Sequence, residues 1–376
     1  MNTTTSQRVE RVRENMRSHN VDGLLLFNVE EASGVNIRYL TGFTGSASIC
    51  FVTPNVTVLI TDPRYGLQVK QESSEWDIRI TVPGYPIIEL LKEQGFRRLG
   101  LIGEEVSWER INKLREKLPE VELVSLPNIV QEIRAVKDAG EMVAIRKAVD
   151  VMEDVLTELY VMIKPGFTTD YELATALKIK LIQRGNDVAF DPIILSGSDS
   201  AFIHGRPFKL KKERERSGVV PSEKVIQRGD IVQFDVGCIV DGYASDISRV
   251  VVIGKAANEQ KRMHSVLCNA IEYAKQHYRE GARGRDGYDK ADEILKAHGF
   301  KNGMVHGLGH GIGLEVHELP GVSRGIEETL KIGNVISLEP GIYIEGYGGM
   351  RIERDVLITE NGPEFLDKLT TDLIEL

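Results

Sequence analysis

A chain of 376 residues is longer than one ordinary domain needs, so its length favours two domains. With 41% hydrophobic and 27% charged residues it is typical of a globular protein, and no apolar run approaches the ~20 residues of a membrane span. The net charge of −9 gives no reason to expect a nucleic-acid partner. Three widely spaced cysteines and an N-terminus without a signal-peptide core predict a cytoplasmic protein with neither a disulfide framework nor a membrane partner.

Helix and strand patterns alternate along the first third of the chain and predict an α/β domain over residues 1–130. Two β-rich runs around the turn at residues 54–55 are predicted to pair as a hairpin. In chain order, the predicted elements are a helix over 6–20, strands over 23–27, 47–53 and 56–61, helices over 64–72 and 87–94, a strand over 99–102 and a helix over 108–118.

Residues 131–376 are predicted to form a second domain that mixes helices with antiparallel strands. Its first element is a helix over 133–160, where apolar residues repeat with a period of 3.6. A faint internal repeat follows, because a turn, a helix, a glycine and a strand lead to a histidine twice, over residues 164–204 and again over 280–310. The repeat indicates a pseudo-symmetric domain.

Two aspartates in the stretch IVQFDVGCIVDGYASDISRVVVI are the first sign of a site. Asp-Gly at residues 241–242 predicts a two-residue hairpin turn that pairs Val240 with Tyr243. Counted back along both strands, this register places Asp235 and Asp246 on one face, one diagonal step apart. A lone aspartate there favours a solvent-facing strand edge. Two like charges among apolar residues require a compensating cation or proton, and so favour a buried site.

A second pair of carboxylates lies near the C-terminus. Glu339 ends one apolar run and Glu353 interrupts another, and the glycine-rich stretch at residues 346–349 predicts a hairpin between them. The alternative for Glu353 is a simple ion pair with Arg351 or Arg354.

Three histidines, His306, His310 and His317, lie between the two pairs in VHGLGHGIGLEVHELP. Alternate glycines make a helix unfavourable there, so this is not a zinc-binding HExxH helix. They predict instead a strand or loop that another segment approaches closely. A structural role is an equal alternative for any one of these histidines, but three within twelve residues favour a site.

Four carboxylates with one or two histidines form an oxygen-rich ligand set. Such a set suits two divalent ions, with Mn²⁺, Co²⁺ or Zn²⁺ as candidates. Paired ions of this kind lie ~3.5–4 Å apart and activate a shared water at neutral pH.

These stretches resemble the metallopeptidase family of prolidase, aminopeptidase P and methionine aminopeptidase, whose catalytic domain is called the pita-bread fold. QFDVGCIVDGYASDISR, GHGIGLEVHE, LEPGIY and RIERDV match the family's metal-binding stretches in order and spacing. NIRYLTGFTGS and TDPRY resemble the smaller N-terminal domain of prolidase, aminopeptidase P and creatinase. The resemblance implies a creatinase-like α/β domain over residues 1–130 and a pita-bread domain with pseudo-two-fold symmetry over 131–376.

The resemblance also implies five ligands for two divalent ions. Asp246 and Glu353 would bridge both ions, Asp235 would complete one site, and His310 with Glu339 would complete the other.

Catalytic roles are implied for three side chains. Glu339 would shuttle a proton of the water held between the ions, His204 would contact the substrate near the scissile bond, and His317 would stabilise the tetrahedral intermediate. Three further positions match residues around the substrate pocket: His306, Tyr343 and Arg351.

The function implied is a metal-dependent exopeptidase that hydrolyses the bond before proline in short peptides, as an Xaa-Pro aminopeptidase or Xaa-Pro dipeptidase. The resemblance further implies a homodimer in which the N-terminal domain of one subunit borders the other's active site. Alternatives are a creatinase-like hydrolase of another small amide or amidine and a non-catalytic binding module, both of which the intact ligand set disfavours.

The chain departs from the family pattern in two places. Gly321 stands where prolidases often carry an arginine that can hold a dipeptide's carboxylate, and Arg324 is the nearest substitute. Residues 209–218, KLKKERERSG, are predicted to form a solvated loop, with a lid that recognises acidic substrates as the alternative.

Overall fold

The computed structural model of the chain describes residues 5–28, 34–81, 87–205 and 224–376. The chain separates into two compact units, Met1–Arg134 and Ala135–Leu376. The charged segment at residues 209–218 lies outside the described residues. Every helix in the described part of the chain falls short of the length and apolar character that crossing a membrane requires.

The described part of the N-terminal unit contains a mixed sheet of six strands in the order β4-β3-β2-β1-β5-β6. Its described helices and strands are, in chain order, α1 (Thr5–Ser18), β1 (Gly23–Asn28), α2 (Val35–Thr41), β2 (Ser48–Val52), β3 (Thr57–Thr61), α3 (Gln68–Glu72), β4 (Asp77–Ile80), α4 (Ile87–Glu93), β5 (Arg98–Leu101), α5 (Trp108–Lys117), β6 (Glu122–Ser125) and α6 (Gln131–Arg134).

The predicted α/β character of this unit is confirmed. The predicted hairpin is present, since β2 and β3 pair antiparallel with Cys50 opposite Leu59. One predicted helix, over residues 64–72, is wrong in extent. A single turn of 3-10 helix at Pro63–Tyr65, capped by the Asp62 side chain, precedes α3 and separates it from the strand.

The predicted continuous helix over residues 133–160 is also corrected. The helical run breaks after α6 and begins again at α7 (Ala139–Met162). Asp138 Oδ1 accepts hydrogen bonds from the backbone N–H groups of Gly140 and Glu141, while Glu141 Oε2 accepts one from the Asp138 N–H. This capping box satisfies the free N–H groups of a new helix and therefore starts α7 at this point.

In its described residues, the C-terminal unit begins with α7 and combines helices with four small sheets. Its further described elements are α8 (Asp170–Gln183), β7 (Asp187–Val188), β8 (Ile193–Ser196), β9 (Ile231–Val236), β10 (Cys238–Val240), β11 (Tyr243–Ala244), β12 (Ile247–Val252), α9 (Asn258–Lys275), α10 (Gly284–Ala297), β13 (Gly309–Gly311), β14 (Glu318–Val322), β15 (Val335–Leu338), β16 (Gly341–Ile344), β17 (Gly348–Arg351), β18 (Arg354–Thr359), β19 (Gly362–Phe365) and β20 (Ile374–Glu375).

Two halves of this unit repeat the same order of elements, as the sequence repeat predicts. Helices α7 and α8 precede the neighbouring strands β8-β9-β12, and α9 and α10 precede the neighbouring strands β13-β15-β18. The second helix of each pair has 14 residues and follows a glycine with a left-handed backbone, Gly166 at φ 83° and Gly281 at φ 80°. The pseudo-symmetric fold therefore reflects matched local structure in both halves.

Each half contains one long antiparallel hairpin with a short interruption. In the first, Val240 lies opposite Tyr243 and Asp235 opposite Ser248, which confirms the register expected from the Asp-Gly turn. In the second, β16 pairs with β17 and β15 with β18, so the predicted turn at residues 346–349 is also confirmed. Both interruptions lie at acidic residues.

Candidate metal centre

The four carboxylates and the imidazole that are expected to bind metal line one cavity of about 340 Å³. Ligand atoms of Asp246, His310 and Glu353 all lie within 4.8 Å of one another. His310 Nε2 lies 3.6 Å from Asp246 Oδ2 and 3.7 Å from Glu339 Oε1. Asp235 lines the same cavity. The five residues that the resemblance implies as ligands therefore share one cavity.

The hairpin interruptions bring these carboxylates together. Asp235 lies on β9, and Asp246 immediately precedes β12. Glu339 follows β15, and Glu353 immediately precedes β18. The Glu353 N–H donates to the Ser248 carbonyl at 3.1 Å, which joins the second hairpin to the first. The two hairpins thus supply two carboxylates each, and Asp246 and Glu353 occupy equivalent positions directly before β12 and β18.

His310 reaches the cavity from β13, between β14 and β15. Its Nδ1 lies 3.2 Å from the Gly311 carbonyl, and a hydrogen bond there leaves Nε2 facing the carboxylates. A Cβ at Gly309 would lie 1.9 Å from the Ser337 carbonyl oxygen, and one at Gly311 would lie 2.2 Å from that of Leu319. The close approach predicted from the alternate glycines is confirmed. The segments that approach are the neighbouring strands β14 and β15.

The carboxylates repel one another in a buried setting. Burial, and then the charges of Glu353 and Asp235, raise the pKa of Asp246 well above its usual value. Burial and Asp235 raise the pKa of Glu353 to about 7, although Arg351 opposes the shift. Burial and Glu353 likewise raise the pKa of Glu339 well above its usual value. A cation among these oxygens would relieve both the repulsion and the cost of burial.

The pKa of His310 shifts in the opposite direction. Burial, followed by the neighbouring His317, lowers the pKa of His310 to about 4. The two imidazole rings lie 4.0 Å apart between centroids. His310 is therefore neutral at physiological pH, which is the form that binds metal.

Buried oxygen atoms without a hydrogen-bond partner indicate whether the site suits a cation. Among the described residues, the buried atoms Asp246 Oδ1 and Glu353 Oε1 have no hydrogen-bond partner. Buried acceptors without a partner are rare and costly. Both residues belong to the group with His310, so they fit a divalent ion held by oxygen and imidazole ligands.

Arg351 connects the cavity to a hydrogen-bonded network behind it. Its Nη2 pairs with Asp235 Oδ2, and its Nη1 donates to the Tyr343 hydroxyl at 2.8 Å. That hydroxyl lies 3.2 Å from His306 Nε2. Of the ten predicted site residues, His306 and Tyr343 lie behind Arg351. The other eight line the cavity: His204, Asp235, Asp246, His310, His317, Glu339, Arg351 and Glu353.

Two polar residues at the site are absent from the sequence prediction. Ser248 Oγ donates to Glu353 Oε2 at 2.9 Å and accepts from Arg351 Nε at 3.1 Å. Asp355 Oδ2 accepts from the Asp246 N–H at 3.2 Å. Strand alternation was the available signal, because each residue lies two positions after a predicted ligand.

The rest of the cavity lining is partly apolar. Phe190, Ile193 and Val316 form this part, and nothing in their sequence pattern distinguishes them from core residues. Arg324 is exposed, its guanidinium carbon lies 6.0 Å from the centroid of the Tyr288 ring on α10, and it is not among the described residues that line the cavity.

Two family models match the chain. The model described as Metallopeptidase family M24 matches residues 143–360, and the model described as Creatinase/Prolidase N-terminal domain matches residues 8–136. The M24 family consists of metallopeptidases, in keeping with the Asp-His-Glu group of the cavity.

Relatives with similar sequence and structure cover nearly the whole chain. An Xaa-Pro dipeptidase of Pyrococcus furiosus is 31% identical over 98% of this chain and 99% of its own. The structure of an X-Pro aminopeptidase from Thermotoga maritima has a TM-score of 0.85 and 34% identity, and the match covers 96% of this chain and 100% of that one. An Xaa-Pro dipeptidase from Bacillus anthracis has a TM-score of 0.89 and 29% identity over 99% of this chain and 100% of its own.

Proposed function

This chain belongs to metallopeptidase family M24, and from that premise we propose that it is an exopeptidase that hydrolyses the peptide bond before proline in short peptides. The observation that carries the proposal is the convergence of Asp246, His310 and Glu353, with unpaired buried oxygens, in a cavity that also contains His204 and His317. Relatives described as Xaa-Pro dipeptidase and X-Pro aminopeptidase support the preference for proline.

We assign two divalent ions, Mn²⁺, Co²⁺ or Zn²⁺, to the ligand set Asp235, Asp246, His310, Glu339 and Glu353. Asp246 and Glu353 are proposed to contact both ions. When bound, the ions supply Lewis acidity and lower the pKa of water.

The protein's own groups would perform the proton transfers. Glu339 lines the cavity beside His310 and would accept a proton from water and return it to the leaving amine. His317 would donate a hydrogen bond to the developing oxyanion, and His204 would hold the substrate beside the scissile bond. Phe190, Ile193 and Val316 would pack against the substrate and exclude water.

The positively charged side chains at the cavity bear on the length of the proposed substrate. Among the described residues, Arg351 is the only arginine or lysine in the lining, and it is already paired with Asp235 and bonded to Tyr343. Arg324 lies against α10 and outside the lining. A dipeptidase needs a cation for the free carboxylate next to the scissile bond. We therefore propose that Xaa-Pro-Xaa tripeptides are cleaved at least as well as Xaa-Pro dipeptides.

The proposal includes a cytoplasmic homodimer. It also includes a creatinase-like domain at residues 1–130 and a catalytic domain at residues 131–376. The two family-model matches support this division.

A substrate panel tests the function. The Mn²⁺-loaded protein would be assayed on Leu-Pro, Leu-Pro-Ala, Leu-Ala and Leu-Ala-Ala, with each peptide bond followed by chromatography. We expect cleavage before proline only, and Leu-Pro-Ala at least as fast as Leu-Pro. Equal cleavage of the alanine controls would contradict the proline requirement. A preference for Leu-Pro that Arg324→Ala abolishes would show instead that Arg324 holds the carboxylate.

A further inference from the structure

Lys137 and Glu318 form an ion pair that is almost completely shielded from solvent. Lys137 Nζ lies 2.6 Å from Glu318 Oε1, and their side chains are 0% and 3% exposed. A buried ion pair rarely adds net stability, because the cost of removing two charges from water offsets their attraction. A pair of this kind can instead fix the position of the segments that it joins, which are 181 residues apart in sequence.

Glu318 directly follows His317. Its carboxylate packs against the loop at residues 313–315, which precedes His317. A Cβ at Gly313 would lie 2.3 Å from Glu318 Oε1, so only glycine leaves room for the carboxylate. The Gly313 N–H donates to the Glu315 carbonyl, and the Gly313 carbonyl accepts from the Ala244 N–H at 2.8 Å. The loop before His317 therefore packs against Glu318 and is hydrogen-bonded to β11, the strand that precedes Asp246.

Lys137 is itself held by backbone contacts. Its N–H donates to the Gly333 carbonyl at 2.9 Å, and the preceding Ala135 carbonyl accepts from Asn334 Nδ2 at 2.8 Å. The next residue, Asp138, caps α7. The ammonium group therefore projects from a fixed point toward the His317 loop.

We propose that the Lys137–Glu318 ion pair positions His317 for its contact with the substrate. This inference rests on the proposed function, because it requires that His317 act in the transition state. Lys137 and Glu318 would be positioning residues, since their charged groups act through His317.

A double-mutant cycle separates positioning from general stability. In the Mn²⁺-loaded enzyme with Leu-Pro-Ala, Lys137→Met is expected to lower kcat by about 10- to 100-fold, the size of effect seen when a reacting group is displaced by ~1 Å. In a His317→Ala background the same change should have little further effect, because the group that it positions is gone. An equal loss of kcat in both backgrounds would overturn the proposal.

Two comparisons define the controls. Lys180→Met breaks another ion pair of the same unit, with Glu158 at 2.6 Å, and should leave kcat unchanged. Mn²⁺ affinity, measured by calorimetry, should be the same in Lys137→Met and the parent. If Lys137→Met does not fold, the double variant Lys137→Met/Glu318→Met, which removes both charges of the pair, is used in its place. A folded double variant with parental kcat would also overturn the proposal.

A measurement independent of activity separates this inference from the proposed function. In ¹⁵N-histidine spectra of the metal-free protein at one fixed pH, with the His317 signal assigned from His317→Ala, the signal should shift or broaden in Lys137→Met and not in Lys180→Met. An unchanged His317 signal in folded Lys137→Met contradicts the positioning role, whether or not the parent cleaves Leu-Pro-Ala. If the parent cleaves no peptide of the panel while the signal does shift, the proposed function fails and the positioning contact stands.

Discussion

At the level of single residues, Asp235 and Asp246 differ in their partners although they lie on the same hairpin. Asp235 pairs with the Arg351 guanidinium, whereas Asp246 belongs to the three-ligand group and keeps an unpaired oxygen. We expect Asp246→Asn to lose more metal and more activity than Asp235→Asn, because Asp246 is proposed to hold both ions. Metal content after dialysis and kcat on Leu-Pro-Ala measure this difference. A greater loss in Asp235→Asn would contradict the assignment.

Ser248 provides a second residue-level prediction. Its hydroxyl lies between Glu353 and Arg351 and fixes the orientation of the carboxylate. Ser248→Ala is expected to weaken Mn²⁺ binding by about 10- to 100-fold, the usual effect of losing a hydrogen bond to a metal ligand. Ser248→Thr retains the hydroxyl and should bind nearly as the parent does.

Ser196 offers a matched control for that experiment. It is also a fully buried serine of the same unit, but its hydroxyl has no hydrogen-bond partner among the described residues. Calorimetric titration of Ser196→Ala should give the parental affinity. Equally weakened Mn²⁺ binding in both alanine variants would show that metal affinity depends on a buried serine in general and not on the contact with Glu353.

At the level of elements, the two hairpins collect carboxylates that repel one another when no cation is present. The pKa of Glu353 is raised from its usual value of 4.5 to about 7, so the folded protein binds more protons than the unfolded chain between those values. The contribution of this group to stability is therefore present below pH 4.5 and lost as the pH rises toward 7. We expect the free energy of unfolding of the metal-free protein to fall with pH over this interval, and to fall less in Glu353→Gln.

Urea unfolding at several pH values tests this expectation. Glu364→Gln is the control, because Glu364 is paired with Arg146 on the surface and not with the cluster. Added Mn²⁺ should reverse the trend, because the ion binds the deprotonated carboxylates and stabilises the folded state by mass action. A Glu353→Gln variant with the parental pH dependence would contradict this account of the cluster.

Local pattern explains why much of the site was predictable from sequence. The turn at residues 241–242 sets the register of the first hairpin, and that register alone places Asp235 and Asp246 on one face. The same alternation extends to Ser248, but a lone serine in a strand carries no chemical signal. The break before α7 was missed because apolar periodicity continues across it, and only the capping contacts of Asp138 mark the new helix.

At the scale of the whole molecule, the sequence showed the repeat only as a turn, a helix, a glycine and a strand that lead twice to a histidine. The structure adds a preceding helix and a hairpin to each half and gives the two matched helices 14 residues each. Contacts between distant segments were not visible. Lys137 and Glu318 are 181 residues apart, and no periodicity or turn signal connects a lysine before one helix with a glutamate after a histidine. Such pairs depend on the folded topology and become visible only in the structure.

The proposed assembly gives a prediction at the same scale. We expect a homodimer of about 84 kDa, twice the 42.0 kDa chain, in light scattering at micromolar concentration. Dilution to the monomer should reduce kcat, because the N-terminal domain of one subunit is proposed to border the active site of the other. A monomer with full activity would contradict the assembly and leave the assignment of the metal ligands intact.

The measurement that tests the central claim most directly is hydrolysis of Leu-Pro-Ala before and after removal of metal. The protein is stripped with a chelator, its metal content is verified by mass spectrometry, and Mn²⁺ is then added back in known equivalents. We expect activity to disappear with the metal and to return fully at about two equivalents per chain, as expected for a site with two ions. Full activity in verified metal-free protein, or no activity at any metal content, would contradict the account.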